Sequence, residues 1–541
     1  IHQKWAQRIK YIIFDEIHSI DNFGNGAVWE RLLMMVRAPF VALSATLGET
    51  TELCGWLNRV QERQQAQWKR DVKEGTEPDQ DYNVEMIPSN GGKIQRWSDI
   101  QKYAFLPHKQ GYQLKTEGKA PYGLDRDPHL NDVVPVNPLS CVTLEMLRTK
   151  FPPDLQLVPK EAVQLFDLMN TLSMPLRRQY AALDAIKALD EKMMTFDPDV
   201  YFCGDRQITQ RRAREYEAFL RATLMDWGKM TTPRFWRSVA GIDKTTRVQV
   251  RKDFEEMVRK LLAGASHAVE QGESHITEQV EADPESNFYP DTFEFVKHNM
   301  LPALHQLKAN NLLPALVFNF EQDQCDTLAT HLVEVLEEAE ARYRQTDVFA
   351  KYKAEMDGKR DLQQMLLKTR EGQLKSKNLQ KGADGKVEEV QKDHIDVDET
   401  ANYDIPDVLP EFSFASNVAV LDSAKLDEID EQLRKLPFLR RAIQRGIGIH
   451  HAGIKGKLRN YVEKLFRMKH LPVVFATEGL ALGVHSPCRT VVLGGDHILL
   501  NTMQFRQMAG RAGRRGMDFL GHAVFLGVSF RKIRRLLTSD L

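Results

Sequence analysis

The chain has 541 residues, 42% hydrophobic and 28% charged, with 74 basic against 75 acidic side chains and a formal net charge of −1. The length suits about two to four domains, the apolar content excludes a wholly disordered chain, and the balanced charge excludes a uniformly basic nucleic-acid binder, so any such affinity must be local. No apolar run reaches the roughly eighteen residues of a membrane span, and Cys54, Cys141, Cys203, Cys325 and Cys488 lie too far apart for a thiolate zinc site or disulfide framework.

These features predict a cytoplasmic location and no membrane contact. The chain opens on Ile1 without a signal-like segment, and is expected to be part of a longer protein. In chain order, Tyr11-Ile12-Ile13-Phe14 is a continuous apolar run of the kind a parallel strand buried on both faces uses, and Phe40-Val41-Ala42-Leu43 is a second. Between them, Trp29 to Val36 places apolar residues around a helical face, which predicts part of a βαβ sheet unit. Residues from about 61 to 110 are polar and rich in Gly, Asn and Lys.

From 130 to 300 the pattern turns helical. Pro159 opens one helix, with Ala162, Phe166 and Met169 at helical spacing. Ala213, Tyr216, Leu220, Leu224 and Trp227 form a second stripe, and Val250, Phe254, Met257 and Leu261 a third. Such stripes predict core packing and name no chemistry. Buried-type strands return at 313–318, 446–449, 472–475, 490–493 and 522–526. An insertion over about 335–437 separates the first two, and 22 of the 50 residues in 351–400 are Asp, Glu, Lys or Arg. That stretch predicts a charged helical arm with a partly disordered tip from Asn378 to Asp404.

Asp15-Glu16-Ile17-His18 follows the first predicted strand, at the carboxyl edge where open α/β sheets hold ligands. A carboxylate there can hold Mg²⁺ while its neighbour orients or activates a water, which assigns Asp15 to the metal and Glu16 to the water. Ser44-Ala45-Thr46 ends the next predicted strand and brings two hydroxyls to the same edge. Far downstream, the run from Gln507 to Gly516 places Arg511 and Arg514 three residues apart, on one face if helical, and a glycine-relieved guanidinium pair suits a triphosphate. Asp21 to Gly26 echoes a calcium loop, but Phe23 occupies a ligand position and no Glu closes the loop, which predicts a turn. His450-His451 lacks a third metal ligand at a recognisable spacing, leaving RNA contact or a satisfied strand histidine.

Asp15 to His18, Ser44 to Thr46, Ala476 to Val484 and Gln507 to Gly516 occur in the order of motifs II, III, V and VI of superfamily-two helicases, which this chain resembles. With His450-His451-Ala452-Gly453 and Trp29-Glu30, it is most similar to the Ski-like (superkiller) RNA helicases. Phe151 to Leu155, Leu313 to Leu316 and the charged insertion resemble the DExD/H-box helicase-sixty branch, associated with antiviral response. The resemblance implies ATP and Mg²⁺ as cofactors and RNA, single-stranded or duplex, as partner. By it, His18 and Gln507 link the nucleotide to the second lobe, and Ser44 and Thr46 couple hydrolysis to RNA. Arg511 and Arg514 reach the γ-phosphate, and Gly483 lies against the ribose. Thr477 and the His451–Gly453 turn hold RNA phosphates, and backbone N–H groups around Gly453 and Gly479 suit contacts that carry no base information.

The implied fold is α/β: two RecA-like parallel-sheet lobes, the first truncated, with helical and charged insertions. Residues 1–100 are expected to close the first lobe, 101–300 to form a mostly helical intervening region, and 301–541 to form the second lobe with its insertion. The chain departs from the family in lacking a G-x-x-x-x-G-K-[ST] loop: Gly118-Lys119 is followed by Ala120, Gly92-Lys93 by Ile94 and Gly385-Lys386 by Val387. His485 stands where Asn is usual. The loop is expected before Ile1, and these 541 residues alone are expected to be inactive. The rival reading is a non-catalytic RNA-binding scaffold that docks protein partners through the 335–437 insertion.

Overall fold

Two short parallel strands, β1 (Ile12–Phe14) and β2 (Phe40–Ala42), pair with Ile13 opposite Val41. Helix α1 (Gly26–Met35) connects them and α2 (Thr50–Asp71) follows. Phe14, Ile17, Leu33 and Leu57 bury together, and the rings of Trp29 and Phe40 approach Phe14 at 5.7 and 5.8 Å. The expected strand–helix–strand unit is therefore present. This computed structural model describes residues 9–15, 17, 20, 26–35, 38–44, 50–71, 83–87, 99–106, 112–128, 132–152, 155–282, 293–379, 403–415, 437–481, 488–514 and 516–539.

A second sheet has seven strands: β3 (Asp99–Phe105), β4 (Val133–Pro135), β5 (Ala315–Phe318), β6 (Ile447–His450), β7 (Val473–Ala476), β8 (Thr490–Gly494) and β9 (Leu520–Leu526). Their spatial order is β4-β3-β9-β8-β5-β7-β6, parallel except for β4. The last five coincide with the five predicted strands. β3 escapes an apolar-run criterion because Asp99, Gln101 and Lys102 are buried yet polar. Each is satisfied: Asp99 pairs with Arg214, Gln101 Nε2 donates to Glu161 at 2.7 Å, and Lys102 Nζ donates to the Gln156 carbonyl at 3.1 Å.

Alternate residues of each strand enter opposite cores, as parallel strands covered on both faces require. Leu316, Phe318, Val474, Ala476, Val491 and Leu493 join one core. That core continues into a helical region made of α3 (Leu144–Arg148), α4 (Pro159–Gln179), α5 (Asp184–Thr195), α6 (Pro198–Tyr201), α7 (Gln210–Met230), α8 (Pro233–Ser238) and α9 (Lys244–Ala282). The predicted stripes bury there, with Met169, Leu220, Trp227, Phe254 and Leu261 all at 1% exposure or less. Burial of one such side chain stabilises by about 1.5–3 kcal/mol. Ala315, Val317, Val473, Phe475 and Val492 face the other core, with α10 (Phe293–Ala309) and α11 (Gln322–Arg344).

The charged insertion differs from expectation at both ends. Leu336, Ala339 and Tyr343 of α11 and Phe349 of α12 (Asp347–Leu379) belong to the second core, to which Phe412 and Phe414 return. Glu340, 3% exposed, ties the two ends together. It pairs with Arg445 at 2.8 Å and with Arg344, and accepts the Leu409 N–H at 3.2 Å. Charge density in the sequence hid these apolar positions. Farther along α12 the expected exposure holds, with Met365 67% exposed. Of the expected tip, 380–402 lie outside the described residues. The chain continues with α13 (Pro437–Gln444), α14 (Gly456–Arg467), α15 (Thr502–Ala509) and α16 (Phe530–Thr538). No described helix is long and apolar enough to cross a membrane.

Candidate nucleotide and nucleic-acid site

At the first sheet, the Leu43 N–H donates to the Phe14 carbonyl at 2.8 Å and the Ile17 N–H donates to the Leu43 carbonyl at 2.9 Å. These two bonds extend the parallel pairing by one residue. They bring Asp15 and Ser44 to the same carboxyl edge, where Asp15 is exposed. A carboxylate oxygen there is the hard donor that Mg²⁺ takes, with waters and phosphate oxygens completing its shell. Glu16, His18 and Thr46 lie outside the described residues, as do Gly483, His485 and the calcium-like stretch from Asp21 to Asn25.

The ends of the adjacent strands β8, β5, β7 and β6 form a second carboxyl edge. After β5, Asn319 Nδ2 donates to the Gly494 carbonyl at 2.8 Å, and Asn319 Oδ1 accepts the Glu321 N–H at 2.9 Å, which fixes the turn into α11. After β6, His450 Nε2 donates to Glu463 at 2.9 Å and His451 Nε2 donates to Asp326 at 3.0 Å. His451 Nδ1 accepts the Gly453 N–H at 3.2 Å, so the bonding assigns this ring its tautomer. A Cβ on Gly453 would come within 2.6 Å of Gln322 Oε1, so only glycine closes this turn without displacing a neighbour. No described group of three His, Cys, Asp or Glu residues could hold a metal. After β7, the Thr477 carbonyl accepts the Leu480 N–H at 3.2 Å, and a Cβ on exposed Gly479 would meet only open space.

The arginine stretch departs from the helical arrangement that would put both guanidiniums on one face. α15 carries half-buried Gln507 but ends at Ala509, and Arg511 and Arg514 stand in the turn beyond it. Gly513 at φ +89° and Gly516 at φ +75° adopt the left-handed backbone that ends helical geometry. Arg511 directs Nε to the Ala481 carbonyl at 2.8 Å, and a second nitrogen to the same oxygen. Asp518 accepts from Arg514 three times: from its backbone N–H at 3.0 Å, its Nε at 2.6 Å and its NH2 at 2.9 Å.

Burial works to raise the Asp518 pKa, but the hydrogen bonds and charge of Arg514, with the charge of Arg489, outweigh it and hold the carboxyl below its ordinary value. Three residues that sequence reasoning missed thus shape this turn. Asp518 grips Arg514. Cys488 accepts the Gly513 N–H on its carbonyl at 2.9 Å and donates its own N–H to the Arg511 carbonyl at 3.3 Å. On β9, a Cβ on Gly521 would meet the Ala512 carbonyl at 2.7 Å. An acidic residue four positions beyond the second arginine was the one legible signal. Asp518 also lines a cleft of about 1070 Å³ with Glu161, Gln210 and Phe519, between the turn and the helical region.

The family description "DEAD/DEAH box helicase" matches residues 1–53, and "Helicase conserved C-terminal domain" matches residues 416–516. Both descriptions are of helicase domains. The acidic edge falls in the first match, and the second covers the edge turns after β6 and β7 together with Arg511 and Arg514. Over its whole length, the chain is 29% identical to an uncharacterized helicase of Caenorhabditis elegans and 27% identical to the probable ATP-dependent RNA helicase DDX60-like of Homo sapiens. It covers 28% of each of those proteins. Over 116 residues, 20% of this chain and 13% of the relative, it is 42% identical to the probable helicase HelY of Mycobacterium leprae.

Proposed function

We propose that this chain forms part of an ATP-dependent RNA helicase in which ATP hydrolysis drives translocation on, or remodelling of, RNA. The observation that carries the reading is the chemistry beside the two sheets: a carboxylate and a hydroxyl, Asp15 and Ser44, side by side at the carboxyl edge of one, and a guanidinium pair, Arg511 and Arg514, in the turn packed against β8 and β9 of the other. The name of the human relative supports RNA as the substrate. In this reading, residues 1–100 close the first RecA-like lobe, 101–300 intervene, and 301–541 form the second lobe, whose sheet also takes in β3 and β4. Asp15 holds Mg²⁺ on the nucleotide phosphates, Glu16 activates the attacking water, and Arg511 and Arg514 neutralise charge that develops on the γ-phosphate. Bringing carboxylates and arginines from different lobes makes hydrolysis depend on lobe closure.

His18 and Gln507 link the nucleotide to the second lobe, Ser44 and Thr46 transmit hydrolysis to the RNA grip, and Gly483 lies against the ribose. His451, Gly453, Thr477 and Gly479 hold RNA phosphates, a sequence-independent and salt-sensitive contact. The family motifs and the charged insertion favour the Ski-like group and its DExD/H-box helicase-sixty branch, with 3′-to-5′ movement and a cytoplasmic antiviral role. Protein partners are assigned to the 335–437 insertion. The 541 residues contain no G-x-x-x-x-G-K-[ST] loop and are expected to hydrolyse no ATP alone. A non-catalytic scaffold would have no use for Glu16 beside Asp15. The test is Glu16→Gln in the full-length protein: RNA-stimulated ATP hydrolysis should vanish while RNA binding persists, and undiminished hydrolysis would refute the role of Glu16.

A further inference from the structure

On several described helices cations are matched by acids on the same or a neighbouring element. On α7, Arg211 pairs with Glu215 at 3.1 Å, Arg212 with Asp205 at 3.2 Å and Arg214 with Glu217 at 3.1 Å. On α9, Arg259 pairs with Glu255 at 2.8 Å, and on α12 Lys359 pairs with Glu355 at 2.6 Å. α16 gathers unmatched cations on one short face. Its sequence, Phe-Arg-Lys-Ile-Arg-Arg-Leu-Leu-Thr, contains no acid. Phe530, Ile533, Leu536 and Leu537 are buried, which leaves Arg531, Arg534 and Arg535 exposed at i, i+3 and i+4 spacing on the outer face. Among the described residues, none of these three arginines has an ion-pair partner, whereas the fourth cation, Lys532, meets Asp496 at 3.3 Å.

The position of the helix gives this face a meaning. Lys532 also donates to the His497 carbonyl at 3.4 Å, so the first turn of α16 is seated on the loop that follows β8. The His497 ring stacks on Phe320, which follows β5, with centroids 4.9 Å apart and an interplanar angle of 12°. α16 therefore starts at the same carboxyl edge that carries Thr477 after β7 and His451 after β6. Its middle is anchored on the helical region, where Arg534 Nε donates to the Cys141 carbonyl at 3.3 Å. Nine helical residues span about 13 Å, so the three guanidiniums run from that edge back along the flank of the sheet as a ridge. A guanidinium fork matches a phosphate in two hydrogen bonds.

We propose that the exposed face of α16, through Arg531, Arg534 and Arg535, is a second phosphate-gripping surface for single-stranded RNA, which begins at the carboxyl edge that also carries the turns after β6 and β7. The proposal rests on the helicase reading for the presence of RNA at that edge. Each lost phosphate contact lowers the slope of log affinity against log salt by about 0.7 for a single strand.

The experiment measures binding of a fluorescein-labelled oligouridylate to the full-length protein from 50 to 200 mM salt, roughly the range over which such contacts are felt. R531Q/R534Q/R535Q is compared with the parent, and R531Q/R535Q leaves the bond of Arg534 to Cys141 in place should the triple variant fold poorly. The slope is expected to fall by about 2 for the triple and about 1.4 for the double variant, with affinity weakened on the order of 10–100-fold. An unchanged slope in a folded variant overturns the proposal. It does so in favour of an acidic protein partner if binding of poly-glutamate is lost instead. A parent protein that binds no oligouridylate refutes the helicase reading as well, which separates the two failures.

Discussion

At the end of β1 the carboxylate of Asp15 stands exposed, on a sheet whose Ile13 and Val41 are themselves 68% and 48% exposed. The polar groups of the seven-stranded sheet are built the other way. His451, 4% exposed, is held by Asp326, and Arg514 is clasped by a carboxylate whose side chain is 5% exposed. A buried polar group costs free energy unless it is paired, so the buried groups of the seven-stranded sheet depend on their partners more than the exposed Asp15 does. Function and stability should consequently be separable at Asp15 and entangled at Arg514.

The largest expected effect tests that contrast directly. Arg514→Gln in the full-length protein should lower RNA-stimulated kcat by about 10³-fold or more, the usual contribution of an arginine that neutralises a transferring phosphoryl group. It should also destabilise the fold by about 1–3 kcal/mol, because among the described residues Asp518 would keep Arg489, at 3.8 Å, as its one charged partner. Asp15→Asn should abolish hydrolysis but shift stability by less than about 0.5 kcal/mol. Thermal unfolding beside steady-state ATPase assays distinguishes the two, and equal stability losses would break the comparison.

A smaller effect is expected from Asp518→Asn. The amide oxygen still accepts from the backbone and Nε of Arg514, but the ionic clasp is gone, and a guanidinium displaced by about 1 Å costs on the order of 10²-fold in rate. We expect kcat to fall by about 10–100-fold with KM for ATP little changed, as for a group that positions another only at the transition state. Asp518 has a folded pKa below its ordinary value. Its clasp therefore stabilises the fold above about pH 4 and is lost as the pH falls through the folded value. The variant should lack that acid-limb contribution in pH-dependent melting. A fall in stability without any fall in kcat would leave Asp518 a merely structural residue.

What the sequence disclosed and what it hid follow from the same physics. Strands β5 to β9 were legible because burial on both faces demands continuous apolar runs, and the helical stripes of α4, α7 and α9 because a single buried face demands a 3.6-residue period. β3 was hidden because its polar residues are satisfied by Arg214, Glu161 and the Gln156 carbonyl, more than fifty positions away. The strand-end position of Asp15 and Ser44 was legible from local order alone. Arg511 and Arg514 were legible as chemistry but not as geometry, since the glycines around them release the chain from the helix. Asp518, Cys488 and Gly521 act by approaching the arginine turn in space, and no periodicity marks such contacts.

The least local test concerns the interior under and beside the arginine turn. His522, on β9 against the ring of Tyr103, and His305, between Tyr112 and the Arg126 carbonyl, are both buried. Burial pushes each imidazole down to about 4; at His522 the charge of Arg489 adds to the shift, and at His305 that of Lys308 does, against the carbonyl of Arg126. An unfolded histidine takes up its proton near pH 6.5, so between about 6.5 and 4 the unfolded chain binds protons that the folded one refuses. Stability must then fall as the pH is lowered across that window, by up to about 1.4 kcal/mol per pH unit for each histidine. His522→Phe keeps an aromatic ring beside Tyr103 and removes one of the two titrations, so its melting curves between pH 6.5 and 4.5 should show roughly half of the parental dependence on these two groups. If the variant retains the full parental slope, the buried histidine under the arginine turn is not the neutral group its surroundings require.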